Sequence, residues 1–600
     1  MVDRRLLDRM IETMAGNPQQ LQAVQAKTHC VVLAGPGSGK TRTLTAAMAR
    51  TLLEDVVEPR GIACITYNNE CAIELESRLA ELGIEPSDRV FIGTVHSFAL
   101  SQVVLPYAQC VMPDFPATLQ IATKEQRDSA VITAYDVVFN DGRNPLWAWR
   151  SAEQKRKRDI NRQHANWMGR NPELARMIEA YENDLRAHGL IDFDDMSLLA
   201  IRMVKEHEWI RQSLKAKFPV LFVDEYQDLG TALHELVLEL CFGAGIRLFA
   251  VGDPDQSIYR FAGADPKLLL SLSERNDVAT ITLPFNYRCG TSIIDVANAA
   301  LGAERAYRAP DGAHQGNILF DPVDGDLEAQ ANHVMQNLVP ALRQSGVPLE
   351  EMAILYRDAD AGNIVAAAAE IAGVPFVRAD KNALVPRNNR LSRLIEAAAS
   401  WVTGGWKHAD PPFRRLTSEA VTFVFGGGAT HGEHQAIERG LAAFLHGTLA
   451  FTGSTHDWLM SFRDDLITQW RLQARTVTDD WDVIDRMLAK TDPAQGNQDI
   501  SLPHFSGRFE QSGRLNLSTL HSSKGREFDV VILFGMNKYA FPSQRDEQTQ
   551  DALAETRRLF YVGVTRARRE LRLVFRRRHY SPWVIELYRR VQRNNSPPAA

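Results

Sequence analysis

The sequence predicts an α/β fold, and three observations lead to it. A short apolar run at 31–33 leads into the glycine-rich segment AGPGSGK and then into a helix-compatible stretch from Lys40. A second apolar run, at 220–223, ends in an acidic pair. Later runs of the same kind lie in FDVVILFG (528–535) and LRLVFRRR (571–578). Buried strands followed by turns, acids and helices are typical of open sheets that bind ligands at the carboxyl ends of strands.

Composition allows several ordinary globular domains. At 600 residues, with 45% hydrophobic and 24% charged residues, the chain has material for roughly four domains. The N-terminal segment carries acids among its bases, and no stretch reaches the 18 or so apolar residues that span a bilayer. We therefore expect a cytoplasmic protein without a membrane partner. The net charge of −6 does not exclude a basic groove for nucleic acid.

The six cysteines indicate neither a metal site nor a disulfide framework. They are scattered along the chain without any CxxC spacing. Zinc sites, iron-sulfur clusters and disulfide scaffolds need closer or paired spacings. We expect these cysteines to be packing residues.

The glycine-rich segment predicts a phosphate-binding loop. It has the form A-x-x-G-x-G-K-T, with alanine at the first position, where the usual pattern has glycine. Such glycines let backbone amides turn towards phosphate at a helix N-terminus, whose dipole favours anions. Lys40 is expected to reach the β- and γ-phosphates, and Thr41 to ligate Mg²⁺. The predicted nucleotide-binding residues here are Gly35, Gly37, Ser38, Gly39, Lys40 and Thr41.

The acidic pair supplies what a phosphate-binding loop lacks for hydrolysis. Asp224 and Glu225 stand at the carboxyl end of the buried run 220–223. Asp224 is expected to hold Mg²⁺ with Thr41, and Glu225 to polarise the attacking water. These residues thus predict a nucleotide hydrolysis site with Mg²⁺ as its metal.

A series of sequence words resembles the helicase motifs of the UvrD/Rep/PcrA family of superfamily 1. In chain order these are NPQQLQAV (17–24), ITYNNECA (65–72), GTVHSFA (93–99), IDFDDM (191–196), DEYQD (224–228), VGDPDQSIYRFAGA (251–264), NYR (286–288), TLHSSKGREF (519–528) and YVGVTRA (561–567). The resemblance implies an ATP-dependent DNA helicase that moves 3′→5′ along single-stranded DNA. It also implies two RecA-like P-loop motor domains, each with a mainly helical insertion.

The resemblance assigns nucleotide roles by position. Gln20 matches the glutamine that reads adenine, Tyr287 the aromatic that stacks on the base, and Glu527 the residue that contacts the ribose. Gln256 matches the sensor of the γ-phosphate. Arg288 and Arg566 match two arginines that reach that phosphate from the second motor domain, where they would stabilise transferred charge.

DNA contacts are implied in the same way. Phe261 stands where the family usually has a tryptophan, so we expect it to be a base-stacking platform. Further positions that match residues near the strand are Tyr67, Asn69, His96, Tyr259 and His521. Glu70 is a departure, because the family commonly has lysine there, and one phosphate contact is expected to be missing.

The family layout predicts the division of the chain. The boundaries are 1–92 and 207–282 for the first motor domain, 93–206 for its helical insertion, 283–380 and 512–585 for the second motor domain, 381–511 for a shortened second insertion, and 586–600 for a flexible tail. The second insertion lacks the family's usual opening stretch, and GGG at 426–428 suggests a turn. About 20 residues follow Tyr580, so neither a fused nuclease nor a long partner-binding tail is expected.

A basic stretch in the first insertion leaves two interpretations open. Residues 144–170 hold seven bases, Arg150, Lys155, Arg156, Lys157, Arg158, Arg162 and Arg170, against two acids. Trp147, Trp149 and Trp167 lie among them. Bases with aromatics fit phosphate contacts on DNA, and a solvated helix with packed tryptophans fits equally.

Three functions remain compatible with the sequence. The first is a helicase of DNA repair, recombination or replication restart, acting on single-stranded DNA and on junctions of single with double strands. The second is a translocase that strips proteins from single strands or works with a partner nuclease in phage defence, which the shortened insertion permits. The third is a nucleotide-gated sensor of DNA ends. The intact residues Glu225, Gln256, Arg288 and Arg566 favour turnover over sensing.

Overall fold

The structure is a computed structural model of the chain. It describes residues 4–67, 69–84, 89–113, 115–116, 119–122, 124–139, 141–142, 144–159, 162, 164, 166–169, 171–260, 263–378, 390–407, 411–425, 429–475, 480–495, 501–506 and 513–595. Several predicted features lie outside the described residues: Phe261, Arg170, the GGG at 426–428, and the side chains of Asn69 and Glu70.

The strands belong to two large sheets and one short pair. They are β1 (Cys30–Ala34), β2 (Ile62–Thr66), β3 (Val90–Thr94), β4 (Gln120–Ile121), β5 (Leu190–Ile191), β6 (Val220–Val223), β7 (Arg247–Gly252), β8 (Ala279–Leu283), β9 (Asn317–Val323), β10 (Met352–Tyr356), β11 (Phe376–Arg378), β12 (Leu515–Thr519), β13 (Phe528–Leu533) and β14 (Ala567–Arg576). The first sheet has the order β3-β2-β6-β7-β1-β8, and the second has the order β11-β12-β10-β13-β14-β9. Both are parallel throughout, and β4 pairs with β5.

Helices fill the connections. Those up to residue 301 are α1 (Arg4–Glu12), α2 (Pro18–Val24), α3 (Lys40–Glu54), α4 (Asn69–Ala80), α5 (Val95–Phe98), α6 (Leu105–Val111), α7 (Lys124–Val138), α8 (Pro145–Arg158), α9 (Asn166–Gly169), α10 (Pro172–Ala187), α11 (Phe193–Glu206), α12 (Glu208–Lys217), α13 (Thr231–Leu238), α14 (Pro266–Ser273) and α15 (Thr291–Leu301). Those that follow are α16 (Leu327–His333), α17 (Val339–Gln344), α18 (Ala359–Ile371), α19 (Arg390–Val402), α20 (Phe413–Phe425), α21 (His431–Gly447), α22 (Thr455–Phe462), α23 (Thr468–Gln473), α24 (Val483–Thr491), α25 (Leu502–Phe505), α26 (Gln550–Val564) and α27 (Pro582–Asn595). Single π-helical turns continue several of them, at Ala99–Val104, Glu239–Gly243, Val334–Leu338 and Arg463–Ile467.

The predicted α/β fold is confirmed by the two parallel sheets. Their central strands are apolar and buried along their whole length, as in β6 and β10, because helices cover both faces of each sheet. The carboxyl ends of parallel strands meet at one edge. In the first sheet β1 runs into the glycine-rich loop, β6 into Asp224 and β7 into Asp253. That edge is where the predicted site residues gather.

The chain forms two compact units. The first comprises 1–111, 197–380 and 512–600 and contains both large sheets; the second comprises 112–196 and 381–511. The predicted boundaries of the first insertion, 93 and 206, therefore both differ from those of the structure. Strand β3 continues to Thr94, and Phe98 of α5 is buried against Phe91 and Phe218 of the first unit. Aromatic packing holds this segment to the first sheet, which residue pattern alone does not reveal. The predicted end of the first motor domain at 282 also falls inside β8, whose Leu283 pairs with Ala34.

The prediction of a flexible tail from 586 is wrong for residues 586–595. Helix α27 continues to Asn595. Leu587 is buried and Val591 packs on the core beneath the second sheet. Arg590 forms a bidentate ion pair with Asp295 of α15. An apolar stripe and a paired arginine thus fix a segment that was expected to be solvated.

The second unit has helical cores of its own. One gathers residues of α7, α8 and α10, and another gathers residues of α19 to α25, including the fully buried Trp458. Both predicted insertions are thus mainly helical where the structure describes them. No described helix has the length and apolarity needed to cross a membrane.

The basic stretch is largely committed to ion pairs within the second unit. The Arg156 side chain is fully buried and pairs with Glu182, Asp192 and Asp195 at 2.8, 2.7 and 3.3 Å. Lys155 is buried too and pairs with Asp159. A buried arginine with three carboxylates is a structural element, because removing any partner leaves an unpaired buried charge.

Three further basic residues of this stretch also form ion pairs. Lys157 pairs with Glu153 and Asp194, Arg158 with Asp159, and Arg162 with Glu182. Of the tryptophans, Trp167 is buried, Trp149 packs on Tyr181 with ring centroids 4.2 Å apart, and Trp147 is exposed. The interpretation as a packed, paired helix therefore holds for most of the stretch, and phosphate binding by Arg156 is ruled out by its burial.

Candidate functional site

The phosphate loop has the backbone that its glycines predict. Gly37 and Gly39 have φ of 64° and 82°, in the left-handed region that side chains rarely adopt, and α3 begins at Lys40. Ser38 is buried, and its hydroxyl donates to the Gly35 carbonyl at 2.7 Å. The loop therefore presents backbone N–H groups at a helix N-terminus, which is a site for anions.

Side chains from later in the chain close around the loop. A Cβ at Gly35 would lie 2.5 Å from the ring of Tyr307, and one at Gly37 would lie 2.6 Å from Asn286 Oδ1. The Tyr287 N–H donates to the Gly37 carbonyl at 2.8 Å. These residues follow β8 or α15, so the glycines also allow a second part of the first unit to approach the loop closely.

The acidic pair faces the loop lysine. Glu225 Oε1 lies 3.5 Å from Lys40 Nζ, and its other oxygen, Oε2, accepts a hydrogen bond from the amide of Gln227. Glu225 has φ of 48°, a strained conformation for a residue with a side chain. Strain that packing maintains at a cleft is typical of a functional site. Gln227 in turn accepts from the Asp253 N–H at 2.9 Å.

The two carboxyls of the pair differ in acidity. Burial, and then the neighbouring charge of Glu225, raise the pKa of Asp224. Burial acts on Glu225 in the same direction, but Lys40 and Lys524 outweigh it and lower the pKa of Glu225. Glu225 is therefore the ionised member, as a residue that polarises water must be. Asp224, which is buried, is the oxygen ligand that a divalent cation would stabilise in its ionised form.

A short turn after β7 continues the chain of contacts. The residues of this sensor turn are Pro254–Gln256, a 3-10 helical turn that Asp253 caps through the Asp255 N–H. Gln256 Nε2 donates to Asp253 Oδ2 at 2.6 Å, and Gln256 Oε1 accepts from Arg566 Nη2 at 3.3 Å. Gln256 is thus placed between the first sheet and an arginine of the second.

Arg566 and Arg288 approach the same place. Arg566 immediately precedes β14, is 1% exposed, and donates to the carbonyls of Val562 and Arg526 at 3.0 and 3.2 Å. Burial, together with the charge of Arg288, lowers the pKa of Arg566 to about 9. Two neighbouring guanidinium groups are stabilised by nearby anions, and Glu527 supplies one to Arg288. A phosphate group has the charge and geometry to be bound by both arginines.

The predicted adenine contacts lie beside the loop. Gln20 is buried and donates to the Ser38 carbonyl at 3.1 Å and to Thr43 Oγ1 at 3.2 Å, so its amide N–H groups serve the loop itself. Tyr287 is half exposed, and its hydroxyl accepts from Asn17 Nδ2 at 3.1 Å. The tyrosine ring is therefore fixed at one end with its surface accessible, as a stacking residue requires.

Glu527 is placed differently from a simple ribose contact. Its carboxylate accepts from Arg288 Nε at 2.5 Å and lies 3.6 Å from Arg568. Burial acts to raise the pKa of Glu527, but Arg288 and the neighbouring arginines lower it below its usual value. Glu527 thus holds Arg288 in place, whatever its contact with a ribose.

The predicted DNA residues are brought together only in part. Tyr67 and Tyr259 stack with ring centroids 5.3 Å apart, and Lys524 Nζ lies 5.1 Å from the centre of the Tyr259 ring. His96 follows β3 and His521 follows β12, and both are half-buried. Phe261 and the side chain of Asn69 lie outside the described residues, so their predicted contacts are not placed.

Sequence reasoning missed several residues that the structure places in the site. Gln227 and Lys524 lie inside the motifs DEYQD and TLHSSKGREF, but their positions in the sequence indicate no role for them. Lys524 Nζ donates to Asp228 Oδ2 at 2.5 Å and to the Gln256 carbonyl at 3.0 Å. Asn286 accepts from the Arg288 and Cys289 N–H groups and so shapes the turn before Arg288. The sequence signal that could have indicated them is an amide or lysine side chain close in sequence to the predicted catalytic residues.

Comparison with protein-family models agrees with this geometry. The model of the UvrD/REP helicase N-terminal domain matches residues 16–277, and that of the UvrD-like helicase C-terminal domain matches residues 494–578. The chain belongs to the UvrD/Rep helicase family. The resemblance read from the sequence is confirmed, and the two parallel sheets are the RecA-like domains of such a helicase.

Individual relatives cover nearly the whole chain. The chain is similar to the ATP-dependent DNA helicase Rep of Escherichia coli (strain K12), with 26% identity over 92% of this chain and 90% of the relative. It is 27% identical to the ATP-dependent DNA helicase PcrA of Leuconostoc citreum, over 94% of this chain and 82% of the relative. It is also 25% identical to the putative ATP-dependent DNA helicase YjcD of Bacillus subtilis (strain 168), over 93% and 78%.

Proposed function

We propose that this UvrD/Rep-family protein is an ATP-dependent DNA helicase that moves 3′→5′ along single-stranded DNA and opens junctions of single with double strands. One observation carries the proposal. Polar contacts run without interruption from Lys40 of the phosphate loop through Glu225, Gln227, Asp253 and Gln256 to Arg566 of the other RecA-like domain. A site shared in this way is complete only when both domains meet, so hydrolysis is tied to their closure.

The residues of this chain divide the work of hydrolysis. Lys40 and the loop amides hold the β- and γ-phosphates, and Glu225, which Gln227 orients, accepts a proton from the attacking water. Arg566 and Arg288 stabilise the charge that develops on the transferred phosphoryl group. Asp224 and Thr41 are the oxygen donors that would hold Mg²⁺, which neutralises phosphate charge when bound.

Coupling to DNA passes through the sensor turn. Lys524 contacts the Gln256 carbonyl, and the same ammonium group lies over the ring of Tyr259, three residues further along. Tyr259 stacks on Tyr67, which follows β2. A base stacked on this aromatic pair would therefore be sensed by Lys524, and movement of Lys524 reaches Gln256 directly. Such coupling between ligands is reciprocal in binding free energy.

The test is ATP hydrolysis and unwinding by the purified full-length chain. We expect single-stranded DNA to stimulate hydrolysis, and non-hydrolysable ATP analogues to change DNA affinity by about 5- to 150-fold, the range typical of coupled binding sites. Duplexes with a 3′ tail should be opened, and duplexes with a 5′ tail or blunt ends should not. Hydrolysis at full rate without DNA contradicts a motor, and preferred opening of 5′-tailed duplexes contradicts the polarity.

The same experiment separates the two alternatives. DNA-stimulated hydrolysis with movement but without strand separation would indicate a translocase that acts with a partner such as a nuclease. DNA binding that nucleotide modulates, without net movement, would indicate a sensor of DNA ends. A role in DNA repair or recombination and a cytoplasmic location belong to the helicase proposal.

Removing the Tyr287 ring should weaken ATP use without slowing chemistry. In Tyr287→Ala we expect KM for ATP to rise several-fold, about tenfold for each 1.4 kcal/mol of lost stacking, with kcat little changed. Stacking on adenine contributes almost equally in the ground and transition states. Steady-state kinetics measure both constants, and Tyr588→Ala, an exposed tyrosine of α27, is the control. A fall in kcat with constant KM would show that Tyr287 acts in chemistry.

A further inference from the structure

Residues 304–308, between α15 and β9, form a segment that crosses the nucleotide site. We call it the crossing segment. It is anchored on the residues that follow β8, because Arg308 N donates to the Pro284 carbonyl at 2.9 Å and Asn286 N donates to the Arg308 carbonyl at 2.8 Å. The Arg308 guanidinium also lies 4.7 Å from the ring centre of Phe285. The crossing segment therefore moves with the chain that carries Asn286 and Arg288.

One residue of the crossing segment, Arg305, forms an ion pair with the sensor turn. Arg305 donates to both oxygens of Asp255, from Nε at 2.6 Å and from Nη2 at 2.8 Å. The Asp255 side chain is 9% exposed, and Asp255 N donates to Asp253 Oδ1 at 3.0 Å. A bidentate arginine fork on a nearly buried carboxylate fixes orientation as well as distance. Asp255 directly precedes Gln256, so this ion pair restrains the position of the residue expected to sense the γ-phosphate.

A second residue of the crossing segment covers the phosphate loop. The ring of Tyr307 fills the space of a side chain at Gly35, with three ring carbons within 2.8 Å of an ideal Cβ there. Tyr307 also packs against the core that joins α15, α26 and the second sheet. Burial, and then the charges of Asp253 and Asp255, raise the pKa of the Tyr307 phenol, which agrees with its place between loop and turn.

We propose that Arg305 and Tyr307 are positioning residues of the hydrolysis site. Arg305 holds the sensor turn, Tyr307 packs against Gly35 of the phosphate loop, and together they fix the position of the turn relative to the loop. The inference deepens the proposed ATP hydrolysis and rests on it. The turn is bound by Asp253 within the first sheet, by Arg566 and Lys524 at Gln256, and by Arg305 at Asp255. Without Arg305 the turn can rotate about the bonds that remain, and Gln256 then loses its alignment.

Nucleotide affinity should depend little on the ion pair between Arg305 and Asp255. Arg305 donates its hydrogen bonds within the site to Asp255, whereas Lys40 and the loop amides are the groups that would hold the phosphates. A positioning residue is therefore expected to act on kcat far more than on affinity. Arg305→Lys keeps the charge but not the fork, so it should recover only part of the rate.

The experiment compares Arg305→Ala with Arg275→Ala in the full-length protein. Arg275 forms a bidentate pair of the same kind with Asp277, and its side chain is 37% exposed against 38% for Arg305. We expect Arg305→Ala to lower kcat for ATP by about 10²-fold, the loss that a misplacement of about 1 Å in a catalytic site causes. Affinity for a non-hydrolysable ATP analogue should change much less, and Arg275→Ala should hydrolyse like the wild type.

A double-mutant cycle tests whether Arg305 affects hydrolysis through Asp255. If Arg305 acts through Asp255, adding Arg305→Ala to Asp255→Asn should cost little further rate. Unchanged kcat in Arg305→Ala, equal losses of rate and affinity, or additive losses in the cycle would each overturn the inference. The helicase proposal fails on different data, namely wild-type turnover that DNA does not stimulate, and that result leaves the ratio of Arg305→Ala to wild type readable.

Discussion

Glu225→Gln is expected to bind ATP normally and to hydrolyse it about 10² to 10⁴ times more slowly, the range that a general base contributes. The amide has the shape of the carboxylate but cannot take a proton from water. Glu225 is the ionised acid of its pair, since Lys40 and Lys524 lower its pKa against the opposing effect of burial. The substitution thus removes the carboxylate that lies 3.5 Å from the ammonium of the loop lysine.

The measurement needs rate and affinity side by side. Single-turnover hydrolysis gives the rate, and titration with a fluorescent ATP analogue gives the affinity. Glu235→Gln is the matched control, because Glu235 makes the same kind of lysine contact, with Lys205, on the surface of α13. Equal losses of affinity and rate in Glu225→Gln would assign the residue to binding, and wild-type turnover would remove it from the mechanism.

The parts of this site that sequence predicts are those built from neighbours along the chain. A buried strand, a glycine turn and a helix define the phosphate loop within residues 30–54, so its backbone follows from local rules. The same holds for Asp224-Glu225, since β6 ends directly before them. Parallel strands then place both at one edge, which makes the catalytic end of the first sheet readable from pattern alone.

The parts that sequence does not predict depend on distant partners. Arg156 belongs to a basic run, yet its side chain is buried against carboxylates 26 to 39 positions away in the chain. Nothing in the run itself distinguishes that arginine from the exposed Arg150. The end of α27 and the packing of α5 on Phe218 were missed for the same reason. Arg305 and Tyr307 belong to no quoted motif, and only the fold brings them to Asp255 and Gly35.

Arg566→Lys is expected to lower kcat by about 10³-fold or more, as removal of an arginine finger does, with a much smaller change in ATP affinity. Arg566 is the second domain's contact to the Gln256 side chain, and its guanidinium is also held by the Val562 and Arg526 carbonyls. The lysine ammonium cannot reproduce the planar fork that addresses two phosphate oxygens while keeping these backbone bonds.

The surroundings of Arg566 strengthen this expectation. Burial and the charge of Arg288 lower its pKa to about 9, so a neighbouring anion would stabilise the charged guanidinium. If Arg566 and Arg288 reach the γ-phosphate, as we propose, charge that spreads over the phosphoryl oxygens in the transition state would lie close to both. The interaction would then be stronger in the transition state than in bound ATP, which is the condition for acceleration.

Kinetics of Arg566→Lys and Arg288→Lys, with nucleotide affinity measured directly, decide the matter. Arg577→Lys is the control, because Arg577 pairs with the exposed Asp324 just beyond the end of β14. Thermal melting of each variant shows whether the fold is kept, since Arg566 is buried. Unchanged turnover in Arg566→Lys refutes the finger role. Losses of affinity as large as those of rate would show that Arg566 is a binding contact, because it would then stabilise bound ATP and the transition state equally.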